Sequence, residues 1–222
     1  MKRIFILAAI MAMVLGFTVQ AHATLILRGT DSLGNRLIYD NDLNITWYDY
    51  TKSNTVWQDQ MNWAGALDVD FGGTHYTDWR LPTTVDGPLV WGYDGTTTAG
   101  YNITSSEMGH LFYTELGGKG FHATDGTSPQ PGWGLSNTGD FQDLWQEDYF
   151  SGTEYSASPN LAWNFYFHTG EQSPDSKYYE LFALAVHPGD VSAVPEPGTM
   201  LLLGTGLAGL IVFRKRQGRI HG

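Results

Sequence analysis

Asp78-Trp79-Arg80-Leu81-Pro82-Thr83 is the stretch on which the reading of this chain turns. Pro82 fixes its own φ and biases Leu81 to extended geometry, so the segment ends a strand-like run and opens a turn or a helix. Alternate side chains of an extended run share a face, which buries Trp79 and Leu81 on one side and leaves Arg80 on the other. Arg80 presents a planar fork suited to a carboxylate. Its role is open between a structural clamp and a ligand contact.

Working outward, Leu25-Ile26-Leu27 and Arg36-Leu37-Ile38-Tyr39-Asp40 flank the turn composition Asp31-Ser32-Leu33-Gly34-Asn35, which predicts an opening hairpin. Ile45-Thr46-Trp47-Tyr48 reads as a third strand. Residues 55–67 suit an amphipathic helix with Trp57, Met61, Ala64 and Leu67 at helical spacing and Thr55 or Asn54 as its cap. Residues 105–116 suit a second helix, with Met108, Leu111, Phe112 and Leu116 as its stripe and Gly117-Gly118 as its stop. Strands follow at 161–167 and 180–187, between long Gly/Asp/Ser/Thr loops. This order predicts an α+β domain over residues 24–190, not a doubly wound parallel sheet.

Trp63-Ala64-Gly65-Ala66-Leu67, Gly72-Gly73 and the Asp78 to Thr83 segment together resemble the Lcl C-terminal family, named for the C-terminal domain of a collagen-like adhesin. Tyr39-Asp40, Leu43 to Trp47, Trp163-Asn164-Phe165 through Gly170 and Leu184-Ala185-Val186 extend the likeness to about residues 36–190. The family-motif residues are Trp63, Asp78, Trp79, Arg80, Leu81, Pro82 and Thr83. The resemblance implies a C-type-lectin-like fold with short antiparallel strands, two helices and long loops, and a surface adhesin that binds polysaccharide. Residues 86–102 form a Gly/Thr insertion relative to that family, which also differs in having cysteines.

The two ends carry addresses. Lys2-Arg3, an apolar run over residues 4–19 and Ala21-His22-Ala23 predict a secretory signal peptide over residues 1–23. At the other end a linker over residues 191–198 contains Pro195-Glu196-Pro197. An apolar segment over residues 199–213 and a basic tail over 214–222 follow it. Fifteen helical residues reach about 22 Å, so a transmembrane helix here is a short one, and the basic tail would hold its end in the cytoplasm. Pro-Glu-Pro, apolar segment and basic cluster resemble a PEP-CTERM sorting tail. That likeness implies sorting by an exosortase-type enzyme, with cleavage near the motif and release among the outcomes, in a Gram-negative cell making extracellular polysaccharide.

The 222 residues include no cysteine, which excludes thiol nucleophiles, thiolate metal sites and disulfides. Six of the 12 Lys and Arg lie in the two ends, while all 23 Asp and Glu lie between Asp31 and Glu196. The span between the ends therefore carries a formal −17, which excludes nucleic acid as a partner. No His spacing suits a metal and no Ser elbow suits a hydrolase. Asp40-Asn41-Asp42-Leu43-Asn44 begins like a calcium loop but also reads as a solvated turn, and Asp68, Asp70 and Asp78 read as calcium ligands or as plain loop acids. No other cofactor is expected.

Eight Trp, 12 Tyr and 11 Phe are an excess that rules out disorder. Trp91, Tyr93, Tyr101, Trp133, Trp145 and Tyr149 lie in Gly/Asp/Thr-rich sequence, where a ring either fills the core or stacks on a sugar. Trp91, Tyr93 and Trp133 are the candidate glycan contacts. The sequence thus predicts a non-catalytic, exported, membrane-anchored protein facing the periplasm or the cell exterior, with extracellular polysaccharide as its ligand. An extracytoplasmic polysaccharide-acting enzyme and a purely structural matrix component are the alternatives.

Overall fold

The computed structural model describes residues 25–192. The signal peptide, the Pro195-Glu196-Pro197 motif, the apolar segment over 199–213 and the basic tail lie outside the described residues.

The chain opens with β1 (Leu25–Thr30) and β2 (Arg36–Asp40), the expected antiparallel hairpin, followed by β3 (Ile45–Thr55). Helix α1 (Trp57–Gly65) and the small hairpin β4 (Val69–Phe71) and β5 (Thr74–Tyr76) come next. The 86–102 insertion contributes β6 (Trp91–Gly92) and β7 (Ala99–Gly100). Helix α2 (Glu107–Gly109) runs on as a π-helical turn over His110–Glu115. The chain closes with β8 (Asp148–Glu154), β9 (Leu161–Tyr166), β10 (Glu171–Ser176) and β11 (Leu181–Pro188). Nine strands form one sheet in the order β1-β2-β3-β11-β8-β9-β10-β7-β6, antiparallel except at β11–β8 and β6–β7.

Strand alternation sorts the core into two layers. Ile38, Trp47, Tyr149, Phe165, Phe167, Leu184 and Val186 form one buried cluster, with Met108, Leu111 and Phe112 packed on it. Their strand neighbours Leu37, Tyr48, Phe150, Ala162, Ala183 and Ala185 belong to the other, covered by Ala64, Phe71, Trp79 and Leu81. Because side chains point alternately to opposite faces, the sheet is buried on both sides along its middle strands.

The Asp78 to Thr83 segment joins the middle of this sheet. Arg80 exchanges both backbone bonds with Val186 of β11, at 3.0 and 2.8 Å, and the Pro82 carbonyl accepts from Gly152 N of β8 at 2.8 Å. Trp79 lies between Tyr48 and His187, with ring centroids 5.4 and 5.3 Å away. Arg80 meets Glu107 in two parallel 2.7 Å bonds, and Glu107 Oε2 also accepts Thr83 N at 2.7 Å. The fork therefore ties the motif to the start of α2. Trp63 packs at the margin of the same cluster, 6.1 Å from the Tyr50 ring.

The α+β, lectin-like expectation is overturned: the described residues are mostly β, in one nine-stranded mixed sheet with two short helices. Among the described residues no helix is long and apolar enough to cross a membrane. The strands missed by pattern are the short β4, β5, β6 and β7 and the longer β8 and β10. In β8, adjacent Tyr149 and Phe150 are both buried, which removes alternation. In β10, Glu171-Gln172-Ser173-Pro174-Asp175-Ser176 has Pro174 as its one apolar side chain, which gives no alternation to count. Pro174 is tolerated because β7 pairs only with Gln172, so no ladder bond to that neighbour is lost at Pro174. The cap expected at Thr55 or Asn54 is also absent: Val56 occupies that position with no side-chain cap, and Thr55 Oγ1 donates instead to Asp59 at 3.2 Å.

Candidate functional site

At the β6–β7 edge, two backbone devices position a run of rings. Gly100 has φ +109°, and a Cβ there would stand 1.9 Å from the Gly92 carbonyl oxygen. Glycine is thus required for the two strands to close. Asn102, at φ 60°, donates through Nδ2 to the carbonyls of Tyr93 at 2.6 Å and His122 at 3.0 Å, binding the β6–β7 loop to the loop after the π-helical turn. Lys119 and Gly134 pair across the base of that second loop, which presents Phe121, His122 and Trp133.

The rings touch in sequence. Trp91 meets Tyr101 edge-on at 6.2 Å, Tyr93 stacks on His122 at 4.6 Å, and Tyr101 lies 4.7 Å from His122. His122 meets Phe121 at 5.3 Å, and Phe121 meets Trp133 edge-on at 5.1 Å. All three predicted glycan contacts therefore belong to one ribbon. Trp91 is 47% exposed, Tyr93 37% and Trp133 43%, whereas Tyr101 is buried and anchors the middle. Trp145 is exposed elsewhere, against Phe182, and Tyr149 is core.

Carboxylates border the ribbon. Asp94 accepts from the Thr96 hydroxyl and amide, which lowers its pKa, and Asp125 is lowered by the bonds it accepts from Thr127. Tyr101 donates to Glu171 at 2.7 Å. Burial first, and that bond second, raise the phenol's pKa, so it stays a donor.

Glu171 leads onto a polar area of the sheet. The register sets Glu171 opposite Tyr166, and Tyr166 opposite Asp148, so these three share one face. Asn164 and Tyr166 both donate to Asp175, and the Ser173 hydroxyl reaches Glu171 Oε1 at 3.4 Å. Asp148 Oδ1 is buried and lies 3.1 Å from His168 Nδ1. Burial pushes the Asp148 carboxyl up to about 6 against the lowering effect of His168, with Glu147, Asp175 and Glu171 adding to the rise.

The acidic loops behave differently from one another. Asp68 pairs with His75 at 2.9 Å and Asp70 Oδ1 accepts Gly73 N at 3.1 Å, so each serves the β4–β5 hairpin, while Asp78 sits at φ 65°. Asp40 is fully buried and accepts the amides of Asp42 and Leu43 at 3.1 and 3.0 Å, so the turn is closed around it. Asp40, His110 and Glu115 are the one group among the described residues whose ligand atoms gather within 4.8 Å of one another. Two hollows of about 230 and 210 Å³ lie away from the ribbon, one beside Trp57 and Lys177 and one beside Tyr50 and Trp63. Both are smaller than the usual small-molecule pocket of roughly 300–1,000 Å³.

Phe121 and His122 escaped the sequence reading because a lone Phe-His pair carries no periodicity. Their flanks, Gly117-Gly118 and Gly120, were the available sign of a loop built for close approach. Glu171, Tyr166, Asp148 and Asp175 come together only through strand register.

Residues 193–217 match the PEP-CTERM protein-sorting motif. This defines an exported protein, sorted by an exosortase and anchored to the membrane through its C-terminus. No curated protein matches the chain, and no solved structure matches it. The resemblance of the central domain to the Lcl C-terminal family is supported by no homologue.

Proposed function

We propose that the exported domain is a non-catalytic glycan-binding module that holds extracellular polysaccharide along the Trp91 to Trp133 ribbon. The observation that carries this reading is the single chain of contacting rings with three half-exposed members. Exposed rings offer flat apolar faces to sugar C–H groups, and Asp94, Asp125 and the loop carbonyls offer acceptors to hydroxyls. A domain whose residues 24–190 carry a formal −16 repels polyanions, which favours a neutral glycan.

Affinity electrophoresis of the full chain through neutral and acidic polysaccharides tests this. Trp91→Ala or Trp133→Ala should each weaken binding about 3- to 10-fold, the worth of one aromatic contact. Trp145→Ala, an exposed ring off the ribbon, should change nothing. Equal losses in all three, or none in the first two, would defeat the reading.

A second reading, a polysaccharide-cleaving enzyme, is favoured by the raised Asp148 carboxyl beside Glu171 and Asp175. Reducing-sugar release abolished by Asp148→Asn would replace the first reading with this one.

A further inference from the structure

Asp40, His110, Glu115 and Asp42 lie at the junction of the β2–β3 turn and the π-helical turn, apart from the ribbon. His110 Nε2 is 3.2 Å from Glu115 Oε1 and 4.0 Å from Asp42 Oδ2. The wide turn makes this contact: Leu116 N donates to the carbonyl of Leu111 five residues back, which sets His110 and Glu115 on one side.

Burial makes the charge pattern costly. Asp40 is fully buried and the Glu115 side chain is 2% exposed, while Asp42 is 41% exposed at the rim. Four of the six Lys and Arg of the described residues are engaged elsewhere: Arg28 with Asp190, Arg80 with Glu107, Lys177 with Glu154, and Arg36 with the Asp140 carbonyl. Among the ion pairs of the described residues, Glu115 meets only His110. An uncompensated buried carboxylate costs several kcal/mol. The ligands are also held in place as metal ligands are: Asp40 Oδ1 accepts two amides, and Oδ2 faces Trp47 Nε1 at 3.4 Å.

We propose that Asp40, His110 and Glu115 bind one first-row divalent transition cation of the zinc type, with Asp42 closing the coordination from the solvent side. Tetrahedral zinc bonds of about 2.0–2.2 Å place donors roughly 3.4 Å apart, close to the His110–Glu115 spacing; the ligand atoms of Asp40, His110 and Glu115 lie within 4.8 Å of one another, and Asp42 Oδ2 is 4.0 Å from His110 Nε2. An imidazole among carboxylates selects such a cation over calcium or magnesium, which take oxygen ligands.

The test uses the full-length protein, purified in detergent and stripped with chelator. Zn²⁺ titration should give one equivalent per chain, Co²⁺ should give visible d–d bands, and Ca²⁺ should not compete. His110→Ala should weaken zinc by more than about 100-fold, beyond the 10- to 100-fold cost of outer-shell changes. Asp42→Asn, on the exposed rim, should fold normally and still weaken zinc at least about 10-fold; His75→Ala, removing an exposed His–Asp pair, should leave affinity unchanged. No stoichiometric zinc, calcium binding as tight as zinc, or unchanged affinity in Asp42→Asn would each overturn the assignment.

Discussion

Replacing Glu107 with Ala should cost the domain more than any other single exposed or half-exposed carboxylate change. Glu107 accepts two bonds from Arg80 and one from Thr83 N, all at 2.7 Å, with 14% of its side chain exposed against 35% for Arg80. A hydrogen bond to a charged group contributes about 1.5–3 kcal/mol, and a fully buried pair broken on one side costs about 3–5 kcal/mol. Arg80 retains access to water, and one of its donors keeps the Leu81 carbonyl at 3.0 Å, so about 2–3 kcal/mol is expected. At about 2.1 cal/mol/K of unfolding entropy per residue, that corresponds to a melting temperature roughly 5–10 °C lower. Circular dichroism melts of wild type, Glu107→Ala, Arg80→Met and the double variant would give the coupling directly. A coupling below about 0.5 kcal/mol, or a Glu107→Ala melt within 2 °C of wild type, roughly the shift left by under 1 kcal/mol, would show that the fork does not join the motif to α2.

Gly100→Ala should fail to close the β6–β7 edge, because its Cβ would meet the Gly92 oxygen at 1.9 Å in a left-handed backbone; glycan affinity should fall further than in any single-ring variant, by affinity electrophoresis. Asp148 has a folded-state pKa raised from 3.8 to about 6, so the native state holds its proton more tightly than the unfolded chain, and the cost of ionising it appears as pH rises from about 4 to 6. Asp148→Asn should therefore match wild type in stability below pH 4 and exceed it by about 1–2 kcal/mol at pH 7, by denaturant titration. Deleting residues 193–217 should move the protein out of the membrane fraction, by cell fractionation.

The opening hairpin was legible because Asp31 to Asn35 has turn chemistry between two apolar runs, and α1 because Trp57, Met61 and Ala64 recur at helical spacing. The second helix was placed correctly, but its π-helical widening was not, since Met108, Leu111 and Phe112 reach the same core in either form. Burial of the sheet on both faces hid β8, and β10 was hidden because its one apolar side chain, Pro174, sets up no alternation. Of the ribbon, the exposed rings were legible as aromatics among Gly, Asp and Thr. Their contact through Tyr101, His122 and Phe121 depends on Gly100 and Asn102 taking positive φ, which no residue pattern states.

The position of β11 bears on how such a protein leaves the cell. It is the last strand of the described residues to be made, yet it occupies the sheet between β3 and β8. In the hydrogen-bonded sheet, the ladder from β1 to β3 joins the ladder from β8 to β10 through it. A chain threaded through a membrane from its N-terminus stays without its central strand until residue 188 has emerged, five residues short of the sorting motif at 193. Completion of the sheet and arrival of the sorting tail are thus nearly one event in time. The strand that completes the sheet and the segment that tethers the protein are neighbours in the sequence.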